Sequence, residues 1–284
     1  MTAPPARFTV TRATPDEWAV VGGWAADEGW DPGRSDAAAF FAQDPEGFHL
    51  GRRDGEPVSA VSVVRYGPDY AFLGFYLVRP DQRGRGFGLA TWQAALAGAG
   101  RRTVGLDGVV AQQDNYRRSG FTPSHRTHRY TGPAPGCAPE PAGIVPAATV
   151  GTEAITAYDS ACHPADRPRF LARWLTTPGH RALARVTDGR LTGYGVLRPA
   201  HSSYRIGPLF ADTPADARAL FDALTAGTGR TPVTLDVPES NPAAVAMAEE
   251  LGLAPSFETA RMYTGPIRPL ADQRVFGITT LELG

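Results

Sequence analysis

A glycine- and arginine-rich segment, residues 83–88 (RGRGFG), carries the residue types in this chain that are best suited to chemistry. It follows an apolar run, residues 71–78, and Pro80, and it precedes a stretch with a helical pattern. A glycine-rich turn at a helix start points backbone N–H groups and the positive end of the helix dipole at one place. Such a place binds phosphate, and the glycines let the anion approach the backbone closely. The segment therefore predicts a site for a phosphate-bearing ligand.

The sequence excludes two common phosphate sites. The P-loop of nucleotide-binding proteins requires a lysine, and the chain contains no lysine. The dinucleotide fingerprint requires the spacing Gly-x-Gly-x-x-Gly, which Gly84, Gly86 and Gly88 do not provide. Taken alone, the segment is also compatible with a purely structural role, as a tight strand-to-helix connection with exposed arginines.

The segments around the turn predict a mixed α/β fold. Residues 71–78 (AFLGFYLV) and 103–110 (TVGLDGVV) have the apolar, β-branched composition of buried strands. The Asp-Gly dipeptide at 54–55 separates two strand-like stretches and predicts a β-hairpin. A polar helix-compatible stretch, AQQDNYRRSGF, follows the second strand, and Gly120 suits the C-terminus of that helix. The predicted order is helix, hairpin, strand, glycine-rich turn, helix, strand, helix, strand.

This order and two short motifs resemble the GCN5-related N-acetyltransferase (GNAT) superfamily. Arg83, Gly86 and Gly88 meet the pattern Arg-x-x-Gly-x-Gly of the family's acetyl-CoA motif, and residues 116–121 (YRRSGF) meet its Tyr-x-x-x-Gly-Phe. The resemblance covers residues 8–131 and is nearest to bacterial two-domain members. It implies an α/β fold with a mixed sheet, acetyl-CoA as cofactor, and direct transfer of an acetyl group to a primary amine of a small molecule in a ternary complex.

The resemblance implies a cofactor site made largely of backbone. The pantetheine arm would lie in a gap between the two predicted strands, and the pyrophosphate would lie on the amides of the glycine-rich turn. One position departs from the family pattern, because Val109 stands where an asparagine is frequent, so the contacts of that asparagine are not expected. The implied cofactor-binding residues are Leu77, Val78, Arg83, Gly84, Arg85, Gly86, Phe87 and Gly88.

The resemblance also implies catalytic and substrate-binding residues. Tyr116 would be the general acid for the CoA thiolate, since transfer from a phenol of pKa about 10 to a thiol of about 8.5 costs only about 2 kcal/mol; the alternative is a packing role. Asp107 and Glu28 are the base candidates because the first site strand lacks a carboxylate, although Asp107 could also be structural and Glu28 could contact substrate. Trp30 and Asp31 are expected substrate contacts, and an acidic or aromatic lining would suit a small cationic amine.

The second half of the sequence repeats the first. Residues 120–133 match residues 252–266 with an insertion, and residues 106–107 (LD) match residues 235–236. Shared order of this kind predicts two copies of one fold, and the proline-rich stretch between them predicts a linker. The predicted division is an N-terminal domain at 1–132, a linker at 133–147 and a C-terminal domain at 148–284.

The two copies differ where the cofactor would bind. Residues 207–217 (GPLFADTPADA) stand opposite the RGRGFG turn, lack its glycines, and place Asp212 and Asp216 where a phosphate would approach. The tyrosine position is Ala248, whereas Asn241 occupies the family's asparagine position. We therefore expect tandem folds with an intact N-terminal copy, a degenerate C-terminal copy without CoA, and one cofactor site per chain.

Length, charge and cysteine content limit the remaining classes. A chain of 284 residues suits two domains, and a net charge of −1 gives no electrostatic basis for binding nucleic acid or an anionic membrane. No apolar run approaches the ~20 residues of a membrane helix. The cysteines, Cys137 and Cys162, and the six histidines lack metal-site or redox spacing, so no metal is expected.

These properties predict a cytoplasmic protein, either a monomer or a homodimer, that acts on a small-molecule amine and binds neither nucleic acid nor membrane. A non-catalytic acyl-CoA-binding regulator or scaffold is the alternative function.

Overall fold

The computed structural model describes residues 7–134 and 141–284, which form one continuous mixed sheet with helices packed against it. The N-terminal half contains strands β1 Phe8–Arg12, β2 Phe48–Arg53, β3 Glu56–Tyr66, β4 Tyr70–Val78, β5 Thr103–Val109 and β6 Thr122–Pro133, and helices α1 Pro15–Asp27, α2 Ala37–Gln43, α3 Phe87–Ala97 and α4 Gln113–Arg118. The C-terminal half contains strands β7 Ile144–Pro146, β8 Arg181–Thr187, β9 Arg190–Pro199, β10 Tyr204–Ala211, β11 Pro232–Pro238, β12 Ala254–Tyr263 and β13 Val275–Gly277, and helices α5 Ala147–Val150, α6 Thr152–Asp159, α7 Pro168–Trp174, α8 Pro214–Thr225 and α9 Pro242–Glu250.

Local sequence accounts for several of these elements. Thr14 and Glu17 form a reciprocal capping box at the start of α1, which satisfies two backbone N–H groups that the helix leaves without partners. The turn between β2 and β3 places Asp54 and Gly55 at φ values of 52° and 91°, and the turn between β8 and β9 repeats this at residues 188–189 with 51° and 73°. Asp-Gly is the residue pair that such left-handed hairpin turns favour.

The two halves exchange their last strands. The sheet order is β1-β2-β3-β4-β5-β12-β6-β11-β10-β9-β8-β7, so β12 of the C-terminal half lies beside β5, and β6 of the N-terminal half lies beside β11. The two exchanged strands pair with each other at the centre of the sheet. The boundary between the halves in sequence is therefore not a boundary in space.

Two buried ion pairs cross this exchange at equivalent places. Arg261 of β12 lies directly opposite Asp107 of β5 and donates to both carboxylate oxygens at 3.0 and 2.8 Å. Arg129 of β6 lies directly opposite Asp236 of β11 and donates to it at 2.7 and 3.2 Å, and Arg205 of β10 donates to the same carboxylate. Each half thus supplies the arginine that neutralises a buried aspartate of the other half.

The hydrophobic core is also shared. One cluster of buried side chains contains residues from α1, α2 and β4 together with residues from α6, α7 and β10. Its centre is aromatic: Phe40 of α2 stacks on Phe170 and Trp174 of α7, with ring centroids 6.5 and 6.1 Å apart. Because apolar burial is the main favourable term in folding, this cluster binds the two halves into one folding unit.

The predicted strands at 71–78 and 103–110 correspond to β4 and β5, and the predicted hairpin corresponds to β2 and β3. The predicted linker at 133–147 is shorter in the structure, because β6 extends to Pro133 and β7, at Ile144–Pro146, pairs with β8. Residues 135–140, including Cys137, lie outside the described residues. No helix in the described ranges is long and apolar enough to cross a membrane.

Candidate functional site

The N-terminal half contains a cavity of about 580 Å³ where two parallel strands separate. β4 and β5 pair from Tyr70 with Thr103 to Leu73 with Leu106, and beyond these residues the pairing ends while both strands continue. Phe75 has a φ of 48° and lies in a bulge against β3, which redirects the strand at the point of separation. The edge of β4 up to Val78 is left facing the cavity without a neighbouring strand among the described residues.

The glycine-rich turn closes the far end of this cavity. Gly84 and Gly86 have φ values of 74° and 81°, a left-handed conformation that glycine adopts without strain. A Cβ atom at either position would meet no heavy atom within 4 Å, so both open onto free space. Gly86 precedes the first turn of α3, and no side chain of the described residues caps this helix. The first N–H groups of α3 are therefore available to an anion.

All eight residues predicted to bind the cofactor border the cavity. The Arg83 guanidinium donates to the Val78 carbonyl oxygen at 3.0 Å and forms an ion pair with Glu28. Phe87 stacks on Phe8 of β1 with ring centroids 4.8 Å apart, which fixes the start of α3 against the sheet. A Cβ atom at Gly88 would lie 2.7 Å from a Val78 methyl carbon, so this glycine allows α3 to approach β4 closely.

Tyr116 on α4 is buried and borders the cavity opposite β4. Its ring stacks on the Trp92 ring of α3 with centroids 5.6 Å apart, and its centroid lies 6.4 Å from that of Phe121. A Cβ atom at Gly108 of β5 would lie 2.8 Å from the Tyr116 ring, so this glycine makes room for the tyrosine. Burial raises the pKa of the Tyr116 hydroxyl above its usual value, and the nearby Tyr76 adds to the shift. The hydroxyl thus stays protonated at neutral pH, as a proton donor must.

The two sequence candidates for the base are both engaged by arginines. Asp107 has a fully buried side chain, and Arg261 occupies its two carboxylate oxygens, so the geometry favours a structural role over the base role suggested by the sequence. Burial raises the pKa of the Asp107 carboxyl and the Arg261 guanidinium opposes that shift. Glu28 borders the cavity but forms the partly exposed ion pair with Arg83.

The two predicted substrate contacts separate in the structure. Trp30 borders the cavity, and its carbonyl oxygen accepts hydrogen bonds from Arg129 and Arg205. Asp31 lies outside the cavity lining and instead accepts hydrogen bonds from the Ser202 amide at 2.9 Å and the Ser203 hydroxyl at 2.7 Å. Burial favours a higher pKa for Asp31, but these hydrogen bonds hold its pKa below the usual value. Asp31 therefore connects the two halves from a position outside the cavity lining.

Four lining residues come from the C-terminal half and were missed by the sequence reasoning. Phe257 and Thr259 lie on the exchanged strand β12, and Leu281 and Glu282 lie in residues 278–284, which we call the tail. Each repeat carries both an aspartate and an arginine at matching positions, but the sequence does not show that the pairs form between repeats. The tail has no sequence signal, because its position depends on contacts with distant residues.

The tail crosses from the C-terminal half to the cavity of the N-terminal half. The Tyr66 hydroxyl donates to the Leu283 carbonyl oxygen at 3.0 Å, and Arg167 donates to the Gly284 carbonyl oxygen at 3.2 Å. A Cβ atom at Gly74 would lie only 2.0 Å from the Glu282 carbonyl oxygen, so the tail passes directly over β4 where β4 leaves β5. Thus the cavity is completed by the far end of the sequence.

The equivalent gap of the C-terminal half is filled. β10 and β11 pair only from Tyr204 to Ile206, and β13 then pairs with β10 in the space where they separate. The Ile278 amide donates to the Asp236 carbonyl oxygen at 2.9 Å, so the chain also bonds to β11. Asn241, at the position of the family's asparagine, donates through Nδ2 to the carbonyl oxygens of Gln273 and Val275 at 3.1 Å.

The helix that follows this filled gap is capped by its own residues. Thr213 accepts a hydrogen bond from the Asp216 amide at 3.1 Å, and Arg185 pairs with the Asp216 carboxylate at 3.0 Å. Asp212 pairs with Arg274 at 3.0 Å and accepts from the Tyr158 hydroxyl at 2.8 Å. The carboxylates expected to repel a phosphate are therefore engaged in ion pairs, and one amide at the start of α8, that of Asp216, has a partner within the chain.

Comparisons with known proteins connect each half to one family. A model described as "Acetyltransferase (GNAT) family" matches residues 14–121, and one described as "Acetyltransferase (GNAT) domain" matches residues 155–277. The chain is 33% identical over 278 residues to holothin acyltransferase of Pseudoalteromonas sp. (strain SANK 73390), covering 98% of this chain and 95% of that protein.

Two solved structures share the overall fold. A Pyrococcus horikoshii protein superposes with a TM-score of 0.82 at 21% identity, covering 98% of this chain and 96% of that chain. A tandem GNAT protein from the clavulanic acid biosynthesis pathway superposes with a TM-score of 0.63 at 19% identity, covering 92% and 99%. At these identities the likeness concerns the fold alone.

Proposed function

Because the chain belongs to the GNAT family of acyltransferases, with one family fold in each half of a continuous sheet, we propose that its N-terminal half transfers an acetyl group from acetyl-CoA to the primary amine of a small molecule. The family assignment confirms the resemblance inferred from the sequence and makes the chain an acyltransferase. The alternative of a non-catalytic regulator is therefore not retained.

One observation carries the proposal: the gap between β4 and β5 leads directly to the uncapped N-terminus of α3. The residues present fit acyl-CoA. The open glycines at 84 and 86 and the α3 amides provide an anion cradle for the pyrophosphate, and the unpaired edge of β4 near Leu77 and Val78 provides backbone partners for the pantetheine amides. When bound, acyl-CoA supplies the acyl group in activated form, as a thioester.

The protein's own groups then have separate tasks. A backbone N–H on the cavity-facing edge of β4, between Gly74 and Val78, stabilises the negative charge that develops on the acyl oxygen, because a fixed donor in a dry site needs no reorganisation. Tyr116 donates its phenolic proton to the leaving sulfur. Its placement beside the cavity supports this role. Its raised pKa keeps the phenol protonated at neutral pH but makes proton transfer to sulfur more uphill than for a free tyrosine. Trp92 holds the Tyr116 ring in place by stacking.

The end of the cavity near the tail supports an amine acceptor. Glu282 provides a carboxylate there, and Trp30 and Phe257 provide aromatic surface. This combination suits a small cationic amine with an apolar or aromatic part. The full-length relative is named for acyl transfer to holothin, which supports including holothin among the acceptors to be tested.

We further propose that the C-terminal half binds no CoA. The support is geometric: β13 occupies the gap between β10 and β11, and α8 is capped internally. Each chain then has one cofactor site, in the N-terminal half.

A combined binding and turnover experiment tests these proposals. Isothermal titration of the full chain with acetyl-CoA should give one site per chain. Chromatography should detect acceptor-dependent CoA release with members of a panel of amino sugars, polyamines, aminoacyl compounds and holothin, and propionyl- and longer acyl-CoA run in parallel define the acyl group. Binding without acceptor-dependent release from any amine would refute the transfer, and turnover only with acidic or neutral acceptors would refute the cationic-amine assignment.

A further inference from the structure

We propose that Glu282, in the tail, is the general base that takes a proton from the acceptor amine. This inference rests on the proposed function. It adds a catalytic residue that comes from the half of the chain without a cofactor site. Glu282 is far in the sequence from β4, the strand that borders the cavity, and β4 (YAFLGFYLV) contains no carboxylate.

Glu282 is one of the residues that line the cavity, and its carboxylate is buried and incompletely satisfied. Its side chain is only 4% exposed, and its Oε2 atom has no hydrogen-bond partner among the described residues. Its Oε1 atom lies 3.8 Å from Arg205 Nη1, which is beyond hydrogen-bond distance. A buried carboxylate oxygen without a partner is costly, so its presence beside a cavity indicates a bond that a ligand completes.

The position along β4 also fits the acceptor. Glu282 passes over Gly74, where β4 separates from β5. Val78 lies four residues farther along β4 than Gly74, which is about 13 Å at 3.3 Å per residue. The glycine-rich turn follows Val78. A ligand with its phosphates at the turn and its body along β4 would therefore present its acyl end toward Gly74. An amine that attacks this end must come from the side of the cavity that Trp30, Phe257 and the tail enclose.

The other carboxylates that border the cavity are worse placed for proton transfer. Both oxygens of Asp107 receive hydrogen bonds from Arg261. Glu28 is paired with Arg83, on the side of the glycine-rich turn. Among the cavity-lining carboxylates of the described chain, Glu282 is the one with a buried oxygen that has no hydrogen-bond partner.

The proton balance of the reaction is then complete. The acceptor ammonium gives one proton to Glu282, and the lone pair of the resulting amine forms the nitrogen–acyl bond while the acyl–sulfur bond breaks. The sulfur keeps the electrons of that bond and takes the phenolic proton of Tyr116. The nitrogen loses a second proton, which restores Tyr116, and Glu282 releases its proton to solvent. The products are the amide, CoA as its thiol, and one free proton.

The test compares Glu282→Gln with the wild-type full chain and with Glu258→Gln as control. Glu258 lies on β12 between the lining residues Phe257 and Thr259, but its carboxylate forms a surface pair with Arg126 at 3.8 Å. We expect Glu282→Gln to lower kcat/KM for the amine by about 100-fold or more. We expect acetyl-CoA affinity to stay within about threefold, since no contact to the cradle is lost. Glu258→Gln should match the wild type in both.

A pH profile distinguishes proton transfer from a structural role. The charged groups facing Glu282 are Arg205 of β10 and Arg198 of β9, and both guanidiniums stay protonated over the range used. The rate of Glu282→Gln should rise about tenfold per pH unit up to the pKa of the acceptor amine, because the variant must wait for neutral amine from solution. The wild-type rate should stay flat there. Glu282→Asp, which keeps a carboxylate, should recover part of the activity.

A readout besides turnover is the rise in Tm that the acceptor amine produces. It should be smaller for Glu282→Gln than for Glu258→Gln, because the ammonium loses its ionic partner. If Glu282→Gln equals the wild type in rate, pH profile and amine-induced Tm shift, the role of Glu282 is refuted while the acyl transfer stands. If the wild type transfers acetyl to no amine, the proposed function fails, and the role of Glu282 fails with it.

Discussion

The gap between β4 and β5 and the gap between β10 and β11 begin alike and end differently. In each half, two parallel strands pair over a few residues and then separate. In the N-terminal half the space is an open cavity that leads to Gly84, Gly86 and the uncapped start of α3. In the C-terminal half β13 fills the space, and Thr213 caps α8.

This difference teaches how two copies of one fold can keep the same architecture while one gap is open and the other is filled by the chain itself. The separated strands need hydrogen-bond partners, and a segment of the same chain can supply them as well as a ligand can. Asn241 holds this segment by donating to Gln273 and Val275. The chain then continues as the tail into the other half's cavity, so one stretch of sequence closes one gap and completes the other.

The largest expected effect concerns the ion pairs that cross the strand exchange. Asp107→Ala and Asp236→Ala should each lower the free energy of unfolding by about 3–5 kcal/mol, since each leaves a buried arginine unpaired. Asp236→Ala should cost more, because two guanidiniums, those of Arg129 and Arg205, face that carboxylate. Urea unfolding followed by circular dichroism measures the change.

The exposed pair between Asp114 and Arg117 provides the control, and Asp114→Ala should change stability by less than about 0.5 kcal/mol. A loss below about 1 kcal/mol at Asp107 would mean that the exchange does not depend on its ion pair. In that case a catalytic role for Asp107 would deserve a direct kinetic test.

The second largest expected effect concerns Tyr116, whose matching position in the C-terminal half is Ala248. Tyr116→Phe should lower kcat by about 100-fold and leave acetyl-CoA affinity unchanged, because it removes a proton donor and keeps the ring that stacks on Trp92. Steady-state kinetics and calorimetry measure the two quantities. Tyr130→Phe, which removes a hydroxyl from the buried cluster of the C-terminal half, should keep the wild-type kcat. Equal rates for the two variants would assign Tyr116 to packing alone.

A smaller effect compares glycines of the two halves with the same backbone conformation. Gly86 has a φ of 81° and Gly227, after α8, has a φ of 82°, and both face open space. Valine at either position should cost about 1–3 kcal/mol of local strain. Only Gly86→Val should weaken acetyl-CoA binding, by about tenfold or more, because only that turn forms the cradle. Calorimetric Kd values decide the matter, and equal Kd values in both variants would place the cofactor elsewhere.

The smallest effect concerns pH. Burial raises the pKa of Tyr116, so the phenol keeps its proton to higher pH than a free tyrosine with a pKa of about 10. A proton donor is active only while protonated, and a raised pKa therefore moves the alkaline loss of activity upward. We expect kcat for the wild type to show no decline up to about pH 10. A decline centred near pH 9 that is absent in Tyr116→Phe would contradict the raised pKa, because it would show that Tyr116 loses its proton below pH 10.

Local sequence determined much of this protein. The strand-like runs at 71–78 and 103–110, the hairpin at 54–55 and the glycine-rich turn were predictable, because composition and turn chemistry act between neighbouring residues. The repeat was equally visible, and the family comparisons confirm two folds of one kind. The backbone character of the expected cofactor site also followed from sequence, since glycines with positive φ have few other uses at a helix start.

Only the tertiary structure decided which strands pair and which carboxylate faces the cavity. Alternating apolar residues specify a strand but not its neighbour, so the exchange of β6 and β12 had to come from the whole sheet. Asp107 pairs with Arg261, 154 residues away in the sequence, and no local pattern predicts that contact. The chain runs from β13, in the gap of one half, to Glu282, at the cavity of the other half, and such long-range packing has no signature in the local sequence.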